Sequence, residues 1–223
     1  MNLRDARARA LWPAILAGLV FSGAAQADLL SSVDVQLIAP GGDVSNPGSP
    51  YSLSQLVAPA DGVHPGDGTA IGGYMLDAEF IEFSGNSIRL RVATGDDAGG
   101  VFTTGYLGLN GEHARYLFNG LSIAGQTIVA INVYAFDGFA TAGFSGIATP
   151  SDPNSYVRLL NASSLSVDLD SLIFKGRGNG SSNNYGDLRI DLLATPVPEP
   201  GTAGLMLAGG ALLAMSLRRR PQP

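Results

Sequence analysis

Two histidines and three pairs of carboxylates are the residues of this sequence best suited to proton or metal chemistry. His64 sits between two aspartates in Asp61-Gly62-Val63-His64-Pro65-Gly66-Asp67-Gly68, and His113 stands apart. A Ser-His-Asp site needs its three groups converged in space, which linear spacing does not deliver. Gly143-Phe144-Ser145-Gly146-Ile147 misses the serine turn G-x-S-x-G at its last position. Both histidines therefore read as solvated loop residues, and no catalytic residue is assigned. The acidic pairs are Asp61/Asp67, Asp96/Asp97 and Asp168/Asp170. Calcium takes roughly six to eight oxygens, so any one pair needs loop carbonyls, Asn and water to complete a site. Asp96/Asp97, at a strand end, is the first candidate for a structural calcium; solvated turn carboxylates are the simpler reading, and no metal ligand set or other cofactor is assigned. Glycoside hydrolysis needs two carboxyls flanking one bond. Glu79 and Glu82, three residues apart on one strand, face opposite ways and do not supply them. Gly176-Arg177-Gly178-Asn179-Gly180 imitates a phosphate loop, but no helix follows to aim its dipole. Tyr106, Tyr116, Tyr134, Phe136, Phe139 and Tyr185 fall in or near loops and strand ends, where exposed rings stack on sugars; buried packing is the alternative.

The elements that must position these groups repeat with a period of two. Ser87-Ile88-Arg89-Leu90-Arg91-Val92 alternates, and with the turn tract Ser84-Gly85-Asn86 the span Phe80 to Val92 is predicted to be a β-hairpin. Ser164 to Leu169 and Gly186 to Leu192 alternate in the same way. Val33–Ile38, Ala114–Phe118, Thr127–Phe136, Tyr156–Leu160 and Leu172–Lys175 are further predicted strands. Thr127 to Tyr134 is nearly continuous apolar, which predicts a central position in a sheet. Ser52 to Ala58 is read as at most one short turn of helix. Loops rich in Gly, Pro, Asn and Asp separate the strands at Pro40–Pro50, Asp61–Gly73 and Gly176–Gly186. Eight to ten strands without helical cover predict an all-β fold: an antiparallel β-sandwich, jelly-roll-like in its leading form, with a closed barrel as the alternative. No internal repeat of fixed period is present, which argues against a solenoid or propeller.

Composition agrees with an exported domain. The 223 residues contain 30 Gly, 13 Pro and no Cys, and only 14% are charged. The missing cysteine excludes disulfides, zinc–thiolate sites and cysteine nucleophiles. Arg4, Arg7 and Arg9 precede the apolar run Ala10 to Phe21, and small residues lead to Ala25-Gln26-Ala27 before Asp28. A positive region, a short apolar region and an A-x-A site predict a signal peptide over residues 1–27, removed by signal peptidase after Ala27. At the other end three prolines in Pro196-Val197-Pro198-Glu199-Pro200 stop regular structure, the uncharged segment Gly201 to Leu217 follows, and Arg218-Arg219-Arg220 come next. At ~1.5 Å per residue an α-helix over that segment marginally spans a bilayer, with the arginines holding the cytoplasmic side. The organisation is then a signal peptide (1–27), a β-sandwich domain (28–195), and a proline stalk with hydrophobic segment and arginines (196–223). From Asp28 to Pro200 there are seven basic and eighteen acidic residues, a formal charge of −11. Such a body repels phosphate backbones, so nucleic acid is not an expected partner.

Pro198-Glu199-Pro200, the Gly/Ala/Leu-rich segment after it and the cluster Arg218, Arg219, Arg220 resemble the PEP-CTERM sorting signal. That resemblance covers Pro198 to Pro223 and leaves the body without a family. It implies processing by exosortase, a membrane-embedded transpeptidase-like protease of Gram-negative bacteria that make exopolysaccharide. The expected protein is exported to the cell envelope or beyond, transiently anchored in the inner membrane through Gly201–Leu217. The expected function is that of a non-enzymatic surface or extracellular-matrix protein associated with exopolysaccharide. The alternative is a secreted carbohydrate-binding module or polysaccharide-active enzyme, with calcium as an optional requirement.

Overall fold

The computed structural model describes residues 32–136, 146–176, 184–197 and 208–210. Its strands in the first half are β1 (Val33–Ala39), β2 (Gly42–Asp43), β3 (Asn46–Pro47), β4 (Tyr51–Val57), β5 (Phe80–Ser84), β6 (Ser87–Ala93) and β7 (Phe102–Thr103). The second half adds β8 (Arg115–Asn119), β9 (Gln126–Phe136), β10 (Ile147–Thr149), β11 (Val157–Asn161), β12 (Ser164–Asp168), β13 (Ile173–Phe174) and β14 (Tyr185–Pro196). Every ladder is antiparallel. One sheet runs β11-β12-β8-β1-β4 and the other β5-β6-β14-β9, with a small sheet β10-β13-β7 beside them.

Alternation builds the core. Val33, Val35, Leu37 and Ala39 of β1 point inward and are fully buried, while Asp34, Gln36 and Ile38 between them are half-buried on the outer face. Ile88, Leu90 and Val92 of β6 and Leu188, Ile190 and Leu192 of β14 do the same from the opposite sheet. Phe83 of β5 meets Phe118 of β8 edge to face, with centroids 6.4 Å apart, across the gap between the sheets. This is the expected sandwich, not a closed barrel: no ladder joins the two large sheets among the described residues. The small sheet packs on β14 where Gly186 leaves room; a Cβ there would lie 2.5 Å from the Ile147 side chain.

The predicted hairpin is β5–β6, turning at Gly85-Asn86. Two expectations need correction. Ser52–Ala58 is not a helical turn; it falls mainly in β4, which pairs with β1 from Tyr51↔Ala39 to Val57↔Val33. Its serines lie on the outer face while Leu53 and Val57 face inward, so a strand uses all of them. Nor is the apolar run Thr127–Tyr134 central: β9 lies at the edge of its sheet among the described strands. The ladder with β14 jumps from Ala130↔Leu193 to Ile128↔Ala194, leaving Val129 as an extra, 54% exposed residue. That bulge turns Ile128 back to the interior, so the unbroken apolar run reflects a shift of register rather than burial on both faces.

Candidate functional site

The residues singled out for chemistry are scattered. His64 is exposed, and its backbone N–H, with that of Thr69 and the Thr69 hydroxyl, donates to the Asp67 carboxylate. Desolvation opposes ionisation of Asp67, but these hydrogen bonds outweigh it and hold the carboxyl below its ordinary value. His113 Nδ1 lies 2.9 Å from Asp170 Oδ1, whereas Asp168, two residues earlier, is buried against Arg158 of the neighbouring β11. Asp96 Oδ1 accepts the Ala98 N–H at 3.2 Å. Among the described residues no three His, Cys, Asp or Glu side chains gather in a metal-holding group. Glu79 and Glu82 do part, but not as neighbours on one strand, since Glu79 precedes β5: Glu79 is 2% exposed inside the fold, and Glu82 of β5 bonds Arg89 at 3.0 Å on the outer face. Phe139, Ser145 and most of Gly176–Gly180 lie outside the described residues.

Of the aromatic candidates, Tyr106 and Tyr116 belong to the core, at 8% and 0% exposure. Tyr134 and Phe136 are the exposed ones, parallel within 11° on β9. Register explains their company. On the outer face of the four-stranded sheet one row reads Phe80↔Arg91↔Asp187↔Phe136 and the next Glu82↔Arg89↔Arg189↔Tyr134. The Arg91 guanidinium lies 4.0 Å from the Tyr185 ring centre and 5.0 Å from that of Phe80, and Arg189 lies 4.7 Å from that of Tyr134. Asp187 holds Arg91 through two hydrogen bonds of 2.5 and 2.9 Å.

A second aromatic group was not legible in the sequence. Asp43, Ser45, Tyr51, Tyr74, Leu76, Thr104 and Tyr106 line an open cleft of about 220 Å³. Tyr51 and Tyr74 have ring centres 5.2 Å apart, tilted by 40°, and the buried Tyr106 hydroxyl donates to the Tyr74 carbonyl at 3.4 Å. At the cleft floor two backbones nearly touch: a Cβ on Gly95 would lie 2.3 Å from the Thr104 carbonyl oxygen. Beneath the cleft Glu79 accepts the N–H of Leu76 at 3.0 Å and of Ala93 at 3.1 Å. Burial pushes its pKa up to about 7 despite those two bonds. Burial likewise pushes the phenols of Tyr51, Tyr106 and Tyr116 above their ordinary range. No linear signal marks this site, because its parts come from five separated segments.

The sorting residues lie at the end of β14. Pro196 pairs with Gln126, and the Val197 N–H donates to the Gly125 carbonyl at 2.9 Å, so the chain is held by the sheet up to the residue before Pro198. Residues 196–220 match the family model of the PEP-CTERM protein-sorting motif. Pro198, Glu199, Pro200, Arg218, Arg219 and Arg220 all fall within the PEP-CTERM match, and the body carries no other family match. The motif indicates an exported protein sorted by an exosortase-type enzyme, with transient membrane anchoring before processing. No curated protein and no solved structure is similar to the chain. Pro198, Glu199, Pro200 and Arg218, Arg219 and Arg220, like Ala25, Ala27 and Asp28 of the predicted cleavage site, lie outside the described residues; of the hydrophobic segment Gly201–Leu217 only 208–210 are described, and these are helical. No described helix is long and apolar enough to cross a membrane.

Proposed function

We propose that this chain is a non-enzymatic surface or extracellular-matrix protein that its PEP-CTERM tail delivers to exopolysaccharide. The observation that carries this reading is the sorting motif at residues 196–220, continuous with a structural strand of an all-β body. The body adds two kinds of support. Its formal charge of −11 favours a solvated, non-aggregating chain outside the cell. Its outer sheet face presents Tyr134 and Phe136 beside Arg189, amphipathic contacts of the kind sugar polymers use.

The test acts on the motif. Glu199 stands between two prolines in the matched motif, a single carboxylate for a membrane enzyme to recognise. Glu199→Ala should leave folding and export intact and block removal of the tail in an exosortase-containing host. A membrane-associated precursor should then accumulate, while the processed wild-type chain fractionates with exopolysaccharide and turns over none of a panel of polysaccharides. Cleavage of the variant at the wild-type rate would remove the sorting assignment. Turnover of any polysaccharide would replace the structural role by an enzymatic one.

A further inference from the structure

The cleft between Tyr51 and Tyr74 lies at the end of the sandwich away from the sorting tail. In one sheet β1 pairs Ala39 with Tyr51 at one end, and at the other pairs Asp34 with Asn119. In the second sheet β14 pairs Tyr185 with Ala93 at its start and Pro196 with Gln126 at its end. The short connection from Asn119 to Gln126 brings those latter ends together. Tyr51 and the Ala93–Gly95 segment therefore mark one end of the body, and Pro196 leaves from the other.

We infer that this cleft is a subsite for one neutral pyranose ring of a glycan, a proposal that rests on the polysaccharide reading above and gives it a place in the fold. Its volume of about 220 Å³ is below the roughly 300–1,000 Å³ of pockets for drug-sized ligands, which suits a single ring. The walls are mixed in the way a sugar is. Tyr51 and Tyr74 form a tilted aromatic wedge for the C–H face of a pyranose, with Leu76 beside them. Asp43 takes the N–H groups of Ser45 and Asn46 on Oδ1 alone, at 2.8 and 3.0 Å, so Oδ2 retains capacity to accept from a sugar hydroxyl. Among the described residues the lining includes no Arg, Lys or His, and its one charged group is Asp43, which disfavours a uronate and selects a neutral ring. Because the cleft faces away from the tail, a chain still anchored through residues 201–217 would present it outward.

The test uses the full chain with methyl glucoside, methyl galactoside, methyl mannoside and glucuronate, followed by saturation-transfer NMR and calorimetry. At least one neutral glycoside should bind saturably in the millimolar range, and glucuronate should bind more weakly. Tyr74 is 49% exposed, so Tyr74→Ala should fold as the wild type does and weaken binding at least about tenfold. Leu160→Ala, at an exposed position on β11 outside the cleft lining, should leave it unchanged. The subsite is overturned if none of the three neutral glycosides binds into the tens of millimolar, if glucuronate binds best, or if Tyr74→Ala binds as well as the wild type. Co-sedimentation with native exopolysaccharide separates the two readings. Co-sedimentation that survives Tyr74→Ala while no glycoside binds would sink the cleft alone. Glycoside binding by a chain that never co-sediments would sink the polysaccharide assignment alone.

Discussion

Replacing Glu79 by Gln should reverse the sign of its effect on stability between acid and mildly alkaline pH. In the folded protein this carboxyl is 2% exposed, and its pKa is raised from 4.5 to about 7 by desolvation. Because the folded state holds a proton that the unfolded chain releases, wild-type stability attributable to Glu79 is fully present below pH ~4.5 and declines as pH rises to ~7. A rise from 4.5 to about 7 corresponds to about 3 kcal/mol. Glutamine does not titrate, so it escapes that decline. It carries a cost of its own: Leu76 and Ala93 donate to different carboxylate oxygens, and the amide nitrogen cannot replace either. One backbone N–H then loses its acceptor, at a cost of about 1–3 kcal/mol at all pH values. Tyr51, Tyr106 and Tyr116, the phenols around Glu79, stay neutral through this window because burial raises their pKa. Urea unfolding of both proteins at half-unit steps from pH 4.5 to 8.5 measures the difference directly. The wild type should be the more stable at pH 4.5, and by pH 8.5 the difference should have moved by about 3 kcal/mol toward the variant. Curves that stay parallel across the range, within about 0.5 kcal/mol, would refute a buried carboxyl titrating near neutrality.

Mass spectrometry of the exported chain should find Asp28 at its N-terminus, and retention of Trp12 would contradict the cleavage site. Leu90→Ala, at a fully buried position on β6, should cost about 2–5 kcal/mol in urea unfolding; a loss below about 1 kcal/mol would mean the sheets do not pack there. Asp187→Ala removes both side-chain hydrogen bonds that hold the partly buried Arg91 and should cost about 2–3 kcal/mol, while Glu82→Ala, beside the exposed Arg89, should cost under about 1 kcal/mol. Equal losses in that pair would show that burial does not set the worth of these ion pairs. Millimolar calcium should leave the melting temperature unchanged, since Asp96 and Asp97 have no third acidic ligand in reach among the described residues; a rise of several degrees would establish a site.

Where burial is one-sided and the ladder regular, the sequence is readable. Val33-Asp34-Val35-Gln36-Leu37 and Ile88-Arg89-Leu90-Arg91-Val92 announce their strands and the face each buries, because a period of two has one physical cause. β4 is harder to read, since Ser52, Ser54 and an outward Leu56 blur the contrast between faces. β9 misleads because a bulge at Val129 turns an alternating strand into an apolar run. The sorting tail is linear chemistry and was visible at once. The cleft is the reverse case: Asp43, Tyr51, Tyr74, Gly95 and Tyr106 meet only after the loops fold over the sandwich end, and nothing near Glu79 in the sequence marks it as interior.

The place of β14 also sets the order in which the molecule can assemble. It is the last described strand before the tail, yet it lies between β6 and β9, whose partners in the ladder run from Tyr185↔Ala93 to Pro196↔Gln126. Until residues 185–196 arrive, β6 and β9 have no ladder between them, and Leu188, Ile190 and Leu192 are missing from the core. Strands separated by nearly a hundred residues must therefore wait for the end of the body, a long-range closure that slows folding. A chain emerging N-terminus first would complete its sandwich only when the hydrophobic tail is next to follow. Folding and membrane arrival then become nearly simultaneous, and any truncation before Tyr185 should yield an open sheet exposed to aggregation rather than a smaller stable domain.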